Sequence, residues 1–155
     1  IMKSKLHGFF GAVALLCIAT FWSSTVVSEL FLDQASVIAV KNAVLTGMWL
    51  LIPTMAATGG SGFSLASRRR GRIVEVKGRR MKVVAANGLF ILLPSAWVLA
   101  SWANSGRFDG AFYALQSVEL IAGAINITLL TLNMRDGLRL SGRLGLKGQA
   151  SASPR

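Results

Sequence analysis

Two charged residues of this 155-residue sequence, Lys41 and Glu119, lie inside long apolar stretches and are the first candidates for chemistry. A charged side chain at membrane depth is rare, and it is usually paired, protonated or functional. At a rise of about 1.5 Å per residue, Glu119 lies roughly 24 Å from the boundary marked by Arg135, and Lys41 lies at a similar depth. The two residues are therefore expected to be able to pair. Two alternatives are a proton-coupled role, and a Lys41 that snorkels outward while Glu119 bonds to Gln116 or Asn42.

The last apolar stretch carries a seam of side chains that alternates steps of four and three residues. Such spacing places them on one helix face, which must contact other helices because amides and carboxylates lack partners in lipid. The seam is predicted either to join helices or to contact a ligand, an ion or a quinone. Its residues are Phe112, Gln116, Glu119, Gly123, Asn126, Leu130 and Asn133, and the other intramembrane polar candidates are Asn42 and Asn87.

His7 is the one histidine and lies where the first apolar stretch begins. It could titrate, lie at the membrane interface or bind haem iron. Bis-histidine haem needs a second histidine, and the corresponding position of a possible internal repeat is Asn87. A methionine or a symmetric dimer would have to supply the sixth ligand. Haem or quinone near His7 is thus one hypothesis for a cofactor.

The elements that must position these residues are four apolar stretches, at 8–27, 36–58, 83–103 and 111–134. Each has about 20 residues, enough for a helix to cross a hydrocarbon core of roughly 30 Å. Hydrophobic residues make up 53% of the chain and charged residues 15%. We therefore predict an all-α integral membrane four-helix bundle over residues 1–147, which could consist of two tandem helical hairpins, with a flexible tail at 148–155.

The basic residues alternate between loops, although the net charge of +11 alone would also suit a nucleic-acid-binding protein. They precede the first stretch, fill the 64–82 loop and follow the fourth, so the positive-inside rule predicts cytoplasmic N- and C-termini. No aromatic residue interleaves the loop's charges, which argues against nucleic acid. The predicted contacts to anionic headgroups are Arg68, Arg69, Arg70, Arg72, Arg79, Arg80, Arg135, Arg139 and Arg143.

A rival interpretation of the first stretch is a cleaved signal peptide, with Lys3 and Lys5 as its basic region and Val26 to Ser28 as its cleavage site. Cleavage would leave three helices with unchanged loop orientation. The length of the apolar run and the poor fit of Val26 favour retention. The tryptophans also form a partial aromatic belt, with Trp22 and Trp102 near the outer helix ends.

No catalytic triad, nucleotide motif or metal-ligand set occurs in the sequence, and the chain outside the stretches is too short for a catalytic domain. The composition favours a non-enzymatic subunit or accessory protein that associates with a larger membrane complex or with itself. A haem- or quinone-binding redox subunit and a small proton-coupled transporter using Glu119 and Lys41 are the alternatives. The charge pattern is typical of a bacterial-type cytoplasmic (inner) membrane.

Overall fold

The computed structural model describes residues 2–66 and 71–140, and nearly all of them are helical. The elements are α1 (Met2–Phe31), α2 (Gln34–Ala66), α3 (Arg72–Asn87), a π-helical turn (Gly88–Leu92), α4 (Leu93–Asn104) and α5 (Gly110–Leu140). The segment α3, π turn and α4 runs without a break over Arg72–Asn104 and makes one long span. The described residues therefore form four helical spans.

All four spans are long and apolar enough to cross a membrane. Large apolar side chains project outward from them, such as Trp49, which is 85% exposed, and Phe63, which is 81% exposed. Lipid tails are as apolar as these side chains, so no hydrophobic free energy is lost by leaving them on the outside of a membrane bundle. Four apolar helices with outward-facing aromatic residues fit a multi-pass membrane protein.

The spans pack side by side in a ring, in which α1 contacts α2 and α5, and α2 and α5 contact the third span. One end of the ring, the basic end, carries the N-termini of α1 and α3 and the C-termini of α2 and α5. The opposite end carries the short connections at 32–33 and 105–109. Near this end, α2, α4 and α5 share an apolar cluster of Val37, Leu99, Ala103 and Phe112.

Aspartates precede the two helices that begin at the opposite end. Asp33 Oδ1 accepts hydrogen bonds from Ser36 Oγ at 2.6 Å and Ser36 N at 2.9 Å, at the start of α2. Asp109 accepts from Arg107 Nε at 2.6 Å and from Phe112 N at 3.0 Å, at the start of α5. Each carboxylate satisfies a backbone N–H that has no partner within the helix. The bond from Ser36 lowers the pKa of Asp33, and the bond from Arg107 lowers the pKa of Asp109.

The helices extend beyond the apolar stretches that predicted them. Residues 72–82, predicted as part of a basic loop, form the first turns of α3. Val74 and Val76 are half-buried there, whereas Ile73 is 45% exposed, and no proline interrupts the helix. Residues 64–66 of that loop form the end of α2, while 67–70, including Arg68, Arg69 and Arg70, lie outside the described residues, as do Arg143 and the tail at 148–155.

The π turn lies directly before Pro94. A proline in a helix lacks the N–H that would bond to the carbonyl four residues earlier, and its ring clashes with that carbonyl. The Leu93 N–H instead bonds to Gly88 O, five residues back, which widens the helix at this point. The third span therefore absorbs its proline by a local change of helix type.

Candidate functional site

Lys41 of α2 and Glu119 of α5 form an ion pair inside the ring of helices. Lys41 Nζ donates to Glu119 Oε2 at 2.8 Å, and the lysine side chain is only 2% exposed. Gln116 Nε2, one turn earlier on α5, donates to the same oxygen at 3.0 Å. The predicted pair is thus present and does not exclude the Gln116 contact, since both donors reach one carboxylate oxygen. Lys41 does not snorkel.

Glu29 of α1 belongs to the same cluster, although the sequence analysis did not select it. Its Oε1 is buried without a hydrogen-bond partner, and Lys41 and Glu119 lie close enough to interact with its carboxyl group electrostatically. The apolar stretch that predicted the first helix ends at Val27, which placed Glu29 outside the span. Because α1 continues to Phe31, Glu29 lies on the helix, where Lys41 of α2 and Glu119 of α5 act on it. The residues around Glu29, such as Ser28 and Phe31, form no sequence pattern that predicts its contact with the ion pair.

Asparagines join the third span to α5 at mid-depth. Asn87 Nδ2 donates to Asn126 Oδ1 and to Ala122 O, both at 2.8 Å, and Asn126 Nδ2 donates to Val84 O at 3.3 Å. Asn126 is 1% exposed. These bonds satisfy amides that would otherwise be unpaired in lipid. The predicted seam of α5 therefore joins helices, with Asn126 at its centre.

Trp22 packs across the same seam at Gly123. Its Nε1 donates to Leu120 O at 2.9 Å, and a Cβ atom added at Gly123 would lie 2.9 Å from Trp22 Cδ1. The edge of the indole that carries Cδ1 and Nε1 therefore lies against the α5 backbone, where an added Cβ would clash with it. Gly123 leaves room for the ring between α1 and α5, while the place of Trp22 in an outer aromatic belt stays a prediction.

Asn42 does not contact the ion pair. It exchanges two hydrogen bonds with Asn104 at the end of α4, at 3.0 and 2.8 Å. Asn42 lies one residue after Lys41 and so points about 100° away around the helix. It joins α2 to α4 near the opposite end, and the alternative that pairs it with Glu119 is wrong.

The basic end has an ion pair of its own. Arg80 Nη1 of α3 contacts Asp136 Oδ2 of α5 at 2.7 Å, and Arg135 Nε lies 3.7 Å from the other oxygen. The remaining described arginines of the predicted headgroup set, Arg72, Arg79 and Arg139, are exposed. Arg80 is therefore a helix-joining residue, while the others stay accessible to headgroups.

A cavity of about 1150 Å³ lies between α1, α2, α3 and α5 in the half nearer the basic end. Ile18, Val84 and Leu130, which line it, form a buried apolar cluster, and Leu51, Met55 and Met81 pack against that cluster. The cavity walls are mostly aliphatic and sulfur-containing side chains, such as Leu51, Met55 and Leu130. The basic residues that line the cavity are Lys5, His7, Lys77 and Lys82. The polar residues of its lining include Thr58, Asn126 and Asn133. No Asp or Glu of the described chain lines it.

His7 lies in the wall of this cavity, in the second turn of α1. Its Nδ1 is 3.0 Å from Ser61 Oγ of α2, and Ser61 Oγ donates its own proton to Ala57 O at 2.6 Å. With its own proton on Ala57 O, Ser61 Oγ can accept a hydrogen bond from Nδ1, so the contact fits the tautomer that carries its proton on Nδ1. The ring packs on Gly62, where an added Cβ would be 3.1 Å from His7 Cε1.

The candidate residues thus form two sites, a charged cluster of Glu29, Lys41, Glu119 and Gln116, and a basic-ended apolar cavity that contains His7. Among the described residues no group of three or more His, Cys, Asp and Glu side chains could hold a metal ion. Comparison of the chain with protein-family models, curated proteins and solved structures found no match.

Proposed function

We propose that this chain is a small membrane subunit or accessory protein that holds one anionic, lipid-like molecule in the cavity between its helices. The observation that carries the proposal is the charge of the cavity, which has three lysines and no carboxylate in its described lining. An apolar space with a cationic rim fits a molecule that has an apolar chain and a negatively charged head. The subunit role itself rests on the four apolar spans, which take up most of the described residues.

The size of the cavity supports an acyl chain rather than a small polar ligand. Small-molecule pockets typically have about 300–1,000 Å³, and this cavity has about 1150 Å³. An acyl chain already in lipid gains little free energy by moving to an equally apolar wall. Selectivity must therefore come from the head, since each basic side chain attracts an anionic headgroup by about 1 kcal/mol.

Binding should depend on open space beside α2, and two adjacent glycines allow a matched test. Gly59 lines the cavity and Gly60 does not, while neither would bring an added Cβ within 4 Å of another atom. We expect Gly59→Phe to weaken binding of phosphatidylglycerol at least about tenfold, a loss of roughly 1.4 kcal/mol. Gly60→Phe should bind like the wild type. Native mass spectrometry of the detergent-purified protein, titrated with phosphatidylglycerol, measures both.

Headgroup charge is tested in the same titration. Wild-type protein should prefer phosphatidylglycerol to phosphatidylcholine with the same acyl chains, and Lys5→Gln combined with Lys82→Gln should remove the preference. Arg79→Gln, on an exposed side chain outside the cavity, is the control. Equal binding of the two lipids by the wild type, or equal losses from Gly59→Phe and Gly60→Phe, would refute the proposal.

A second candidate, a quinone- or haem-binding redox subunit, is favoured by the environment of His7. Ser61 orients its ring, and Met48, Met55, Met81 and Met134 in the same cavity are possible sulfur ligands. A His–Met pair is one of the known ligand sets of haem iron. Purified protein expressed with added haem would then show a Soret band that His7→Ala abolishes. Such a band would refute the lipid proposal. A quinone found in a solvent extract of the purified protein would instead show that the bound molecule has a quinone ring as its headgroup.

For orientation, we propose that the basic end lies in the cytoplasm of a bacterial-type inner membrane. The described basic side chains of that end include Arg72, Arg79 and Arg139, while the opposite connections carry only Arg107. Reporter fusions after Arg70 and after Lys147 should therefore give a cytoplasmic signal, and fusions after Asp33 and Gly106 an external one. An external signal after Arg70 would contradict this orientation.

A further inference from the structure

The charged cluster of Glu29, Lys41 and Glu119 lies apart from the cavity, and none of its residues lines it. The cluster contains one cation and two carboxyl groups. If both carboxyl groups were ionised, it would carry one uncompensated negative charge between helices, where desolvation strongly disfavours such a charge. One bound proton would make the cluster neutral.

The hydrogen bonds distinguish the two carboxyl groups. Glu119 Oε2 accepts from both Lys41 Nζ at 2.8 Å and Gln116 Nε2 at 3.0 Å. Glu29 Oε1 is buried and accepts from no group. Since no donor stabilises its ionised form, Glu29 is the carboxyl group at which binding a proton costs the least free energy.

A second buried acceptor without a donor lies on Gln116, which is bonded to Glu119. Gln116 is 3% exposed, its amide nitrogen is bonded to Glu119, and its Oε1 is a buried acceptor without a donor. A buried acceptor left unpaired is unfavourable by about 1–3 kcal/mol. The cluster therefore has two unpaired acceptor oxygens, one on Glu29 and one on Gln116, and protonating a carboxylate converts one acceptor into an O–H donor.

We propose that Glu29 binds one exchangeable proton, and that Glu29, Lys41, Glu119 and Gln116 together form an intramembrane proton-binding site. On binding, one O–H bond forms at the Glu29 carboxylate, the proton comes from water, and no other bond changes. The helices packed against α1 present Lys41 from α2 and Glu119 from α5 as the charged groups that face Glu29. Asp33, beyond the end of α1, is bonded to Ser36. Glu29 lies in the last turn of α1, so water at the opposite end is the nearest source of the proton.

Infrared difference spectroscopy of the full chain in lipid vesicles tests the site without any variant. At neutral pH the wild type should show the C=O band of one protonated carboxylic acid, and the band should shift in D₂O because the proton exchanges. Glu29→Gln should abolish it. Glu75→Gln is the matched control, because Glu75 is an exposed carboxylate of α3 and should leave the band unchanged. Lys41→Met should increase the band about twofold, since both cluster carboxyls would then be neutral.

Thermal stability in detergent identifies which carboxyl group carries the proton. Glu29→Gln replaces a neutral acid by a neutral amide of the same shape, so its melting temperature should stay close to that of the wild type. Glu119→Gln removes the counter-ion of Lys41 and should clearly lower the melting temperature. No carboxylic acid band in the wild type, a band that survives in Glu29→Gln, or a greater loss from Glu29→Gln than from Glu119→Gln would each overturn the proposal.

Discussion

Lys41→Met should lower the free energy of unfolding by about 3–5 kcal/mol, the range measured when one partner of a buried ion pair is removed. Lys41 is 2% exposed and its ammonium group is the only cation beside Glu119 and Glu29 among the described residues. Without it, Glu119 must either stay ionised with one amide donor or take up a proton. Both states are less favourable than the pair, which is why the expected effect is large.

The double variant Lys41→Met with Glu119→Gln should be less destabilised than the sum of the single variants. Removing both charges leaves two neutral side chains of similar size, so the coupling free energy should be clearly different from zero. Glu119→Gln alone should cost less than Lys41→Met, because Glu29 can release its proton and become the counter-ion. Thermal unfolding in detergent, calibrated against a reversible denaturant, measures all three proteins. Additive losses would mean that the pair does not form in the membrane protein.

Gly123→Leu should destabilise the α1–α5 contact by about 1–3 kcal/mol, the usual range for overpacking a close contact. A Cβ atom at this position would lie 2.9 Å from Trp22 Cδ1. The ring cannot move aside freely, because its Nε1 is held by Leu120 O at 2.9 Å. Displacing the ring would also break that hydrogen bond, which contributes about 0.6 kcal/mol on average between membrane helices.

The matched control is Gly60→Leu, at an exposed helical glycine of α2 with open space around it. It should be neutral or stabilising by up to roughly 1 kcal/mol, because leucine favours a helix more than glycine does. In a Trp22→Ala background, Gly123→Leu should lose most of its effect, since the clashing ring is gone. Similar losses at Gly60 and Gly123, or an unchanged loss without Trp22, would contradict the packing of the indole on Gly123.

The two charged contacts of the bundle differ in what the sequence could predict about them. The match in depth between Lys41 and Glu119 follows from counting residues along helices, because the rise of a helix is nearly constant. Counting residues does not reveal that Glu29 lies near this pair, because the position of Glu29 depends on where α1 ends. Arg80 was predicted to contact headgroups, but it pairs with Asp136, since α3 begins eleven residues earlier than the apolar stretch suggested and brings the guanidinium against α5.

By itself the sequence determined the features that depend on local geometry and on hydropathy. The length of each apolar stretch predicted the four spans, and the alternating steps of four and three on α5 predicted a seam that Gln116, Asn126 and Asn133 bury against neighbouring helices. Periodicity is a property of one helix, so one sequence is enough to show it. The same periodicity leaves open which helix each seam residue meets.

Only the tertiary structure decided the pairings and the spaces between helices. It brings Asn126 to Asn87 and Asn42 to Asn104, turns Trp22 inward onto Gly123, and separates the helices around His7 to leave a cavity. These features depend on how each helix is rotated about its axis and on which helices are neighbours. That choice is set by the packing of all four spans at once, and since lipid and protein interior are equally apolar, hydropathy along the chain does not encode it.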